Sequence, residues 1–442
     1  MRFTASTMAL VAGQKQGSAV HDQAAGARPG QVPRLLLQSG RGAHLGPAGS
    51  RQDSRNLGPA VPSALPSTVL RVNDHVGELV ERNDGFAYDY RMKCDCGGSS
   101  VLTAADYFAE VNQAHMQCEH CWRTIHFGRA VIALRDEHDP ALDNERTSQL
   151  AWYHTSTSED WPSATHADRA SAQFQGLADR LGDRLQAFIE RESTKALHVG
   201  TYEAAVENML RRMHDQADVR SQFHLHRVTL EVDPARINQG YRDENDQEAA
   251  QLGVADLDVA GVDVIRYLNV YEAAGTLSLA VHPRVVRTVQ TVALPVQQLA
   301  EPLPPALDTR SAVWESRRAA LEEEAIAWSR IDPRHLNLIR LGLRPDPDGI
   351  RERSEAAMDR GWELWREIKE GLVEHLLPGV SPMVARAFVD ALDHWRTHGD
   401  VELSVPTYAR HFANHAVAMT RAPEVVAPLA SQPTRRISAQ ST

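Results

Sequence analysis

Long apolar runs are missing from this chain, and a secretory leader is not evident. The longest apolar stretches are only a few residues, far below the roughly 20 that a membrane-spanning helix needs. The start, MRFTASTMALVAGQ, has one arginine and a weak apolar patch that is too short and too interrupted for a signal peptide. We therefore expect neither an integral membrane protein nor a secreted one, and we expect the chain to lie in the cytoplasm.

Basic charge is also scarce. The 442 residues carry a net charge of −11, and only four of the 47 basic residues are lysines. A general nucleic-acid coat needs a basic surface to neutralise phosphates, so the charge argues against that class. Hydrophobic residues are 42% and charged residues 24% of the chain, which is the composition of a globular protein.

Several catalytic signatures are absent as well. The sequence has no G-x-S-x-G nucleophile elbow, no Walker loop, no H-E-x-x-H motif and no Rossmann glycine fingerprint. His224 and His226 fall on the same side of a predicted strand, but no second ligand pair stands out. We interpret these two histidines as structural.

Composition changes along the chain predict an α+β protein with a small strand-rich domain that holds the cysteines, a mixed-sheet domain with flanking helices and a C-terminal helical bundle. The first segment is rich in Gly, Ala, Ser, Gln and Pro without apolar periodicity, which is typical of disorder. Strand-like and helix-like patterns then alternate until a Pro-broken linker, LAEPLPPALD, after which the pattern is almost entirely helical. The predicted divisions are a disordered tail at 1–66, a zinc-ribbon domain at 67–145, a mixed-sheet domain at 146–298, a linker at 299–310, a helical domain at 311–425 and a disordered tail at 426–442.

Individual elements follow from apolar periodicity. Predicted strands include WYHTS, FHLHRVTLEV, VIRYLNVY, TLSLAV and VVRTVQTVALP. The predicted helices are 174–192, 202–214, 311–330, 349–377, 381–398 and 405–421. One apolar stripe in the helical domain is interpreted as bundle core: Met358, Trp362, Trp365, Ile368, Leu372 and Leu376.

All four cysteines fall within 28 residues. In a reducing compartment such clustering favours a metal over disulfides, and zinc needs four ligands in a tetrahedron. The segment 88–130 resembles a zinc ribbon with a structural metal, although the first pair is Cys-x-Cys, and His115 or His120 could replace one thiolate. The predicted zinc ligands are Cys94, Cys96, Cys118 and Cys121.

Three short elements of the middle domain carry polar side chains near strand ends. His154 lies in the strand WYHTS, His198 lies in LHVGT just before a helix, and Glu272 precedes the strand Thr276–Val281. Side chains at a strand end can reach a ligand at the edge of a sheet. Each residue taken alone is more often structural, so the order of the three elements matters more than any one of them.

Together these elements resemble the ADP-ribosyltransferase fold over about residues 149–295. In that superfamily the three positions are His, then Tyr or His, then Glu, and the form with two histidines is similar to the RNA 2′-phosphotransferase branch. The usual glycine after the first histidine is Thr155 here. Tyr202 is an alternative to His198, and Glu231 is an alternative to Glu272.

The resemblance implies that NAD is the substrate. His154 would bond the ribose of the nicotinamide half, and His198 or Tyr202 would pack against the nicotinamide ring. Glu272 would accept from the ribose 2′-hydroxyl and stabilise the positive charge at the anomeric carbon, because N-glycosidic cleavage passes through an oxocarbenium-like state. The implied nucleotide contacts are Thr155, Ser156, Tyr202 and Tyr271.

Two functional hypotheses follow. The first is an NAD-consuming transferase that moves ADP-ribose to an unidentified macromolecule, protein or nucleic acid, with the zinc ribbon as the targeting module. The second is a non-enzymatic regulator whose ribbon binds nucleic acid or protein and whose middle domain is a degenerate scaffold. The first hypothesis requires the three catalytic candidates to converge in one cleft.

Overall fold

The computed structural model describes most of the chain from residue 79 to residue 437. The described ranges are 79–82, 84–110, 115–126, 131–162, 194–215, 221–243, 248–329, 333–346, 349–398 and 404–437. All of them belong to one compact unit. The tail predicted at 1–66 and the helix predicted at 174–192 lie outside the described residues. Among the helices described, none combines the length and the apolar character needed to cross a bilayer.

Two antiparallel hairpins form the cysteine-bearing part. The first consists of β1 (Tyr90–Lys93) and β2 (Ser99–Leu102), followed by α1 (Ala104–Glu110), and the second consists of β3 (His115–Gln117) and β4 (Thr124–His126). Backbone bonds close the two turns: Cys94 N–H donates to Gly98 O and Cys118 N–H to Arg123 O, both at 2.9 Å. Each predicted cysteine pair therefore lies on the turn of a hairpin.

Two four-stranded sheets are built mostly from the middle of the chain. The elements are β5 (Trp152–Ser156), β6 (Leu197–Val199), α2 (Tyr202–Asp215), β7 (Phe223–Leu230), β8 (Arg242–Asp243), α3 (Glu248–Gln251), α4 (Val254–Ala260), β9 (Val264–Leu268), β10 (Leu277–Val281), β11 (Val286–Leu294) and β12 (Arg435–Arg436). One sheet has the order β6-β10-β9-β8 and the other has the order β12-β11-β7-β5. Since β8 pairs with β9 in parallel and the other strand pairs of the first sheet are antiparallel, that sheet is mixed, as predicted.

A reciprocal pair of backbone bonds joins the two sheets. Tyr153 N–H donates to Gly200 O and Gly200 N–H donates to Tyr153 O, each at 2.9 Å. Gly200 must be small, because a Cβ there would lie 2.5 Å from Ser278 Oγ. Thr201 then begins α2 by accepting Ala204 N–H at its side-chain oxygen, at 3.1 Å. The predicted strand–turn–helix element LHVGT is therefore the point at which one sheet meets the other.

The C-terminal part is helical, as predicted. Its helices are α5 (Pro305–Ser329), α6 (Pro333–Arg340), α7 (Ile350–Leu376), α8 (Pro382–His398), α9 (Val405–Thr420) and α10 (Ala422–Ala430). The first of them begins inside the predicted linker, with Pro305 at its first position, where the missing N–H costs no helical bond. Ser404 caps α9 by accepting Thr407 N–H at its hydroxyl.

The predicted apolar stripe of α7 is only half buried. Ile368 and Leu372 are fully buried, which confirms the prediction there, whereas Met358 and Trp362 are 51% and 69% exposed, and for them it is wrong. The helix has 27 residues and spans about 40 Å, but α8 and α9, with 17 and 16 residues, span only about 25 Å. Those two helices cannot cover its whole length, and α5, which reaches this part of α7 through the Arg360–Glu324 pair at 2.7 Å, leaves Met358 and Trp362 exposed.

The sequence predicts disorder from residue 426, whereas the described residues 426–437 contain the end of α10 and the strand β12. Val425 and Leu429 of α10 are buried in the main hydrophobic cluster, and β12 pairs with β11 through Val289 and Arg435. Gln290 Nε2 donates to Ala430 O at 2.6 Å. The exposed edge of β11 explains the difference, because unpaired strand groups recruit a partner strand.

Two glycines of α7 provide a test of helix packing. A Cβ at Gly371 would lie 2.7 Å from the buried ring of Trp314 on α5, whereas a Cβ at Gly361 would meet nothing within 4 Å. Gly371→Ala should therefore lower the free energy of unfolding by about 1–3 kcal/mol through overpacking. Gly361→Ala should raise it by about 1 kcal/mol through helix propensity. Urea denaturation measures both, and equal effects would contradict the close crossing of α5 and α7.

Candidate functional site

A cleft of about 70 Å³ lies where the two sheets meet. It is smaller than the roughly 300–1,000 Å³ of most small-molecule sites, so it encloses only part of a ligand of that class. All three catalytic candidates line it, together with residues of α2 and of the strands β5, β6, β9 and β10. The lining residues are Tyr153, His154, Thr155, His198, Val199, Gly200, Ala204, Ala205, Asn208, Tyr267, Asn269, Glu272 and Ser278.

His154 lies on β5, and its ring is held by a hydrogen bond and by a stacking contact. Its Nδ1 lies 2.8 Å from His198 O, which can only accept, so Nδ1 carries the proton and donates. The ring stacks on Trp161 with centroids 4.0 Å apart and 17° between the planes. Burial, helped by neighbouring His226, holds the pKa of His154 well below its usual value. The imidazole is therefore neutral near pH 7, and its Nε2 is an acceptor.

His198 lies on β6, in the other sheet. Its Nδ1 is 3.0 Å from the hydroxyl oxygen of Tyr267, and its Nε2 is buried with no hydrogen-bond partner. Burial lowers the pKa of His198 to about 4. A buried polar atom without a partner is rare in proteins, and a bound ligand is one explanation for it.

Glu272 follows β9, and its side chain is only 9% exposed. Its Oε1 lies 2.5 Å from Nε of Arg211 and accepts from Nδ2 of Asn208 at 3.3 Å. Both partners come from one face of α2. The carboxylate is therefore fixed against the helix, with its charge balanced by a guanidinium and one edge directed at the cleft.

Hydrogen bonds from two sides fix the turn that carries Glu272. Ala273 has a positive φ of 44°, and its N–H donates to Oε2 of Glu207 at 3.0 Å. Tyr88 donates its hydroxyl to the same carboxyl group at 3.1 Å. On the other side, Arg135 N–H donates to Gly275 O at 2.8 Å. A strained residue of this kind persists only where its surroundings hold it.

The two predicted hydroxyl residues of β5 have different surroundings. Thr155 lines the cleft and donates to Ala205 O at 2.7 Å, which ties β5 to the first turn of α2. Ser156 is buried and donates to Ser158 O at 2.9 Å, so its hydroxyl serves the local turn. Of the two, only Thr155 is placed to touch a ligand.

Three other candidates lie outside the lining of the cleft. The ring of Tyr202 is buried in the helical core, where its hydroxyl donates to Ala418 O at 2.7 Å. Tyr271 lies under a guanidinium, with its ring centroid 5.7 Å from Cζ of Arg211. Glu231 is 69% exposed and pairs with Arg287 at 2.8 Å. The structure thus brings together His154, Thr155, His198 and Glu272.

Sequence reasoning missed several polar residues of the site. Asn208 and Arg211 follow Ala204 at helical spacing on a helix that was predicted, so their common face was a usable signal. Asn269 donates from Nδ2 to the hydroxyls of Thr276 and Ser278, both at 2.9 Å. No local pattern marks that buried amide, because its partners depend on how β9 pairs with β10.

The four cysteines converge as predicted. All their Sγ atoms lie within 4.8 Å of one another, and the group could hold a metal ion. The closest pairs are Cys94 and Cys121 at 3.6 Å and Cys96 and Cys118 at 3.8 Å. His120 is not part of the group, because its Nε2 lies 3.0 Å from Ser99 O. His115 does not belong to it either.

Comparisons with known proteins give no functional assignment for this chain. No family model, curated protein or solved structure matches the chain. The functional interpretation therefore depends on the cleft and on the cysteine group.

The pH dependence of stability tests the buried carboxyl that supports the Glu272 turn. Burial, with the charge of Glu272 nearby, raises the pKa of Glu207 from 4.5 to about 8. The folded state therefore binds this proton more tightly, and the resulting stabilisation is complete below about pH 4.5 and lost as the pH rises to about 8. Glu207→Gln removes this titration. The free energy of unfolding of the variant minus that of the wild type should therefore rise between about pH 4.5 and about pH 8.

Denaturation at a series of pH values measures this difference. Glu231→Gln is the matched control, because that carboxylate is exposed and should give a profile parallel to the wild type. Parallel profiles for Glu207→Gln and wild type would show that Glu207 titrates normally.

Proposed function

We propose that this chain is an NAD-consuming transferase that moves ADP-ribose to a macromolecular target. The observation that carries the proposal is the convergence of His154, His198 and Glu272, from three separate segments, on one cleft. Catalytic groups must be positioned together to act on one bond. The resemblance of their order to the His, His and Glu positions of ADP-ribosyltransferases supplies the reaction class.

Glu272 is assigned the charge-stabilising role. Cleavage of the bond between nicotinamide and ribose builds positive charge at the anomeric carbon. A fixed carboxylate in a poorly hydrated cleft stabilises that charge strongly, and its free lone pairs accept from the ribose 2′-hydroxyl. The ion pair with Arg211 keeps the carboxylate in place.

The two histidines are assigned to binding. The neutral ring of His154 offers Nε2 as an acceptor for a ribose hydroxyl, and Thr155 also lines the cleft. His198 presents a flat neutral ring and a buried Nε2 without a partner, which suit the nicotinamide ring and its amide. The placement of Tyr202 against Ala418 favours His198 over Tyr202 for this role.

We further propose that the cysteine group binds zinc. Tetrahedral coordination at about 2.3 Å requires sulfur atoms about 3.8 Å apart, and the two closest pairs are at 3.6 and 3.8 Å. Four thiolate ligands leave no open position on the metal, so the zinc is structural. We assign the hairpins that it joins to target recognition, and we assign the protein to the cytoplasm, where thiols stay reduced and available to a metal.

Glu272→Gln tests the proposed reaction. It preserves size and removes the charge, so NAD turnover should fall about 10²–10³-fold while the melting temperature changes little. Glu231→Gln makes the same chemical change at an exposed carboxylate outside the cleft and should leave turnover unchanged. Release of nicotinamide measures both variants. Equal turnover by wild type and Glu272→Gln would exclude this mechanism.

The zinc proposal has its own test. The purified chain should contain about one zinc per molecule, and Cys118→Ser should lose it, because three thiolates bind much more weakly than four. His120→Gln should retain zinc, since that ring bonds Ser99 O. Elemental analysis of the variants measures the metal content. Full zinc in Cys118→Ser, or none in His120→Gln, would contradict the ligand set.

A further inference from the structure

Trp161 forms an aromatic stack behind the cleft. Its indole lies face to face with His154, with centroids 4.0 Å apart, and also contacts His226, with centroids 5.3 Å apart. Trp161 is 8% exposed and does not line the cleft. Stacking fixes the plane of the His154 ring, while the bond to His198 O fixes its rotation within that plane.

The C-terminal segment holds Trp161 in place. Arg435 donates from its guanidinium to Trp161 O, and its backbone pairs with Val289 in β11. The next bond in this segment, from Ile437 N–H to Arg287 O, measures 3.0 Å. A charged donor makes a stronger hydrogen bond to a carbonyl than a neutral one does. The last strand of the chain is therefore linked to the ring of His154 through a single residue.

We propose that Trp161 and Arg435 are positioning residues for His154, so that the strand β12 supports one wall of the cleft without lining it. This inference rests on the proposed function, in which His154 binds a ribose hydroxyl. Neither residue touches the substrate. Each acts through the plane of one imidazole, and a small tilt of that ring moves Nε2 away from the hydroxyl that it accepts from.

A purely structural role gives a different expectation. If Trp161 only fills the core, loss of the Arg435 bond would lower stability and leave the His154 ring stacked. If Arg435 positions the stack, its loss changes the surroundings of His154 in a protein that is still folded. The two alternatives therefore differ in a spectroscopic property of one histidine.

Nuclear magnetic resonance of the His154 ring protons tests the proposal. An imidazole stacked on an indole is shifted upfield by the ring current, and His154→Gln identifies the resonance. Trp161→Leu should abolish the upfield shift, and Arg435→Gln should reduce it by at least half. Arg436→Gln, at the exposed neighbouring position, is the matched control and should leave it unchanged. An unchanged shift in folded Arg435→Gln would overturn the proposal.

NAD turnover gives a second readout. In Arg435→Gln we expect kcat/KM to fall on the order of tenfold, because a tilted His154 ring no longer aligns the ribose hydroxyl that it binds. An unaltered kcat/KM would overturn the positioning role. If the wild type shows no turnover, the proposed function fails, and the resonance measurement alone decides whether Arg435 orients His154.

Discussion

Two hydrogen bonds between Tyr153 and Gly200 determine the geometry of the whole site. They join sheets that are otherwise built from separate ladders, and they place His154 where it reaches the carbonyl of His198. Gly200 makes this approach possible, because any side chain there would collide with Ser278. Glu272 is brought to the same point by β9, and α2, which starts two residues beyond Gly200, supplies the two groups that hold it.

The cysteine hairpins also support the site. Ala133 N–H donates to Arg91 O in β1 at 2.7 Å, and Arg135 N–H donates to Gly275 O in the Glu272 turn at 2.8 Å. A short segment therefore bonds to the strand that ends just before Cys94 and to the turn that carries the carboxylate. The described parts of the three predicted domains also share one hydrophobic cluster. The hairpins, the cleft and the helices are parts of one packed body.

The sequence predicted the local elements well, because they depend on short-range patterns. The strand FHLHRVTLEV and the helix at 202–214 are at their expected positions, and the cysteine spacing predicted a four-sulfur group. The predictions that were wrong depend on contacts between residues that are far apart in the sequence. The exposure of Trp362 follows from how α5, α8 and α9 pack on α7, and the pairing of residues 435–436 follows from the free edge of β11. Arg211 belongs to the site only because the turn that carries Glu272 packs against α2.

We propose that one cleft binds the ribose next to the nicotinamide between His154 and Glu272. A crystal structure of the chain with a non-hydrolysable NAD analogue tests this most directly. We expect a ribose hydroxyl within hydrogen-bond distance of Nε2 of His154 and the anomeric carbon beside the carboxylate of Glu272. Binding of the analogue elsewhere, or with its ribose directed away from both side chains, would contradict it.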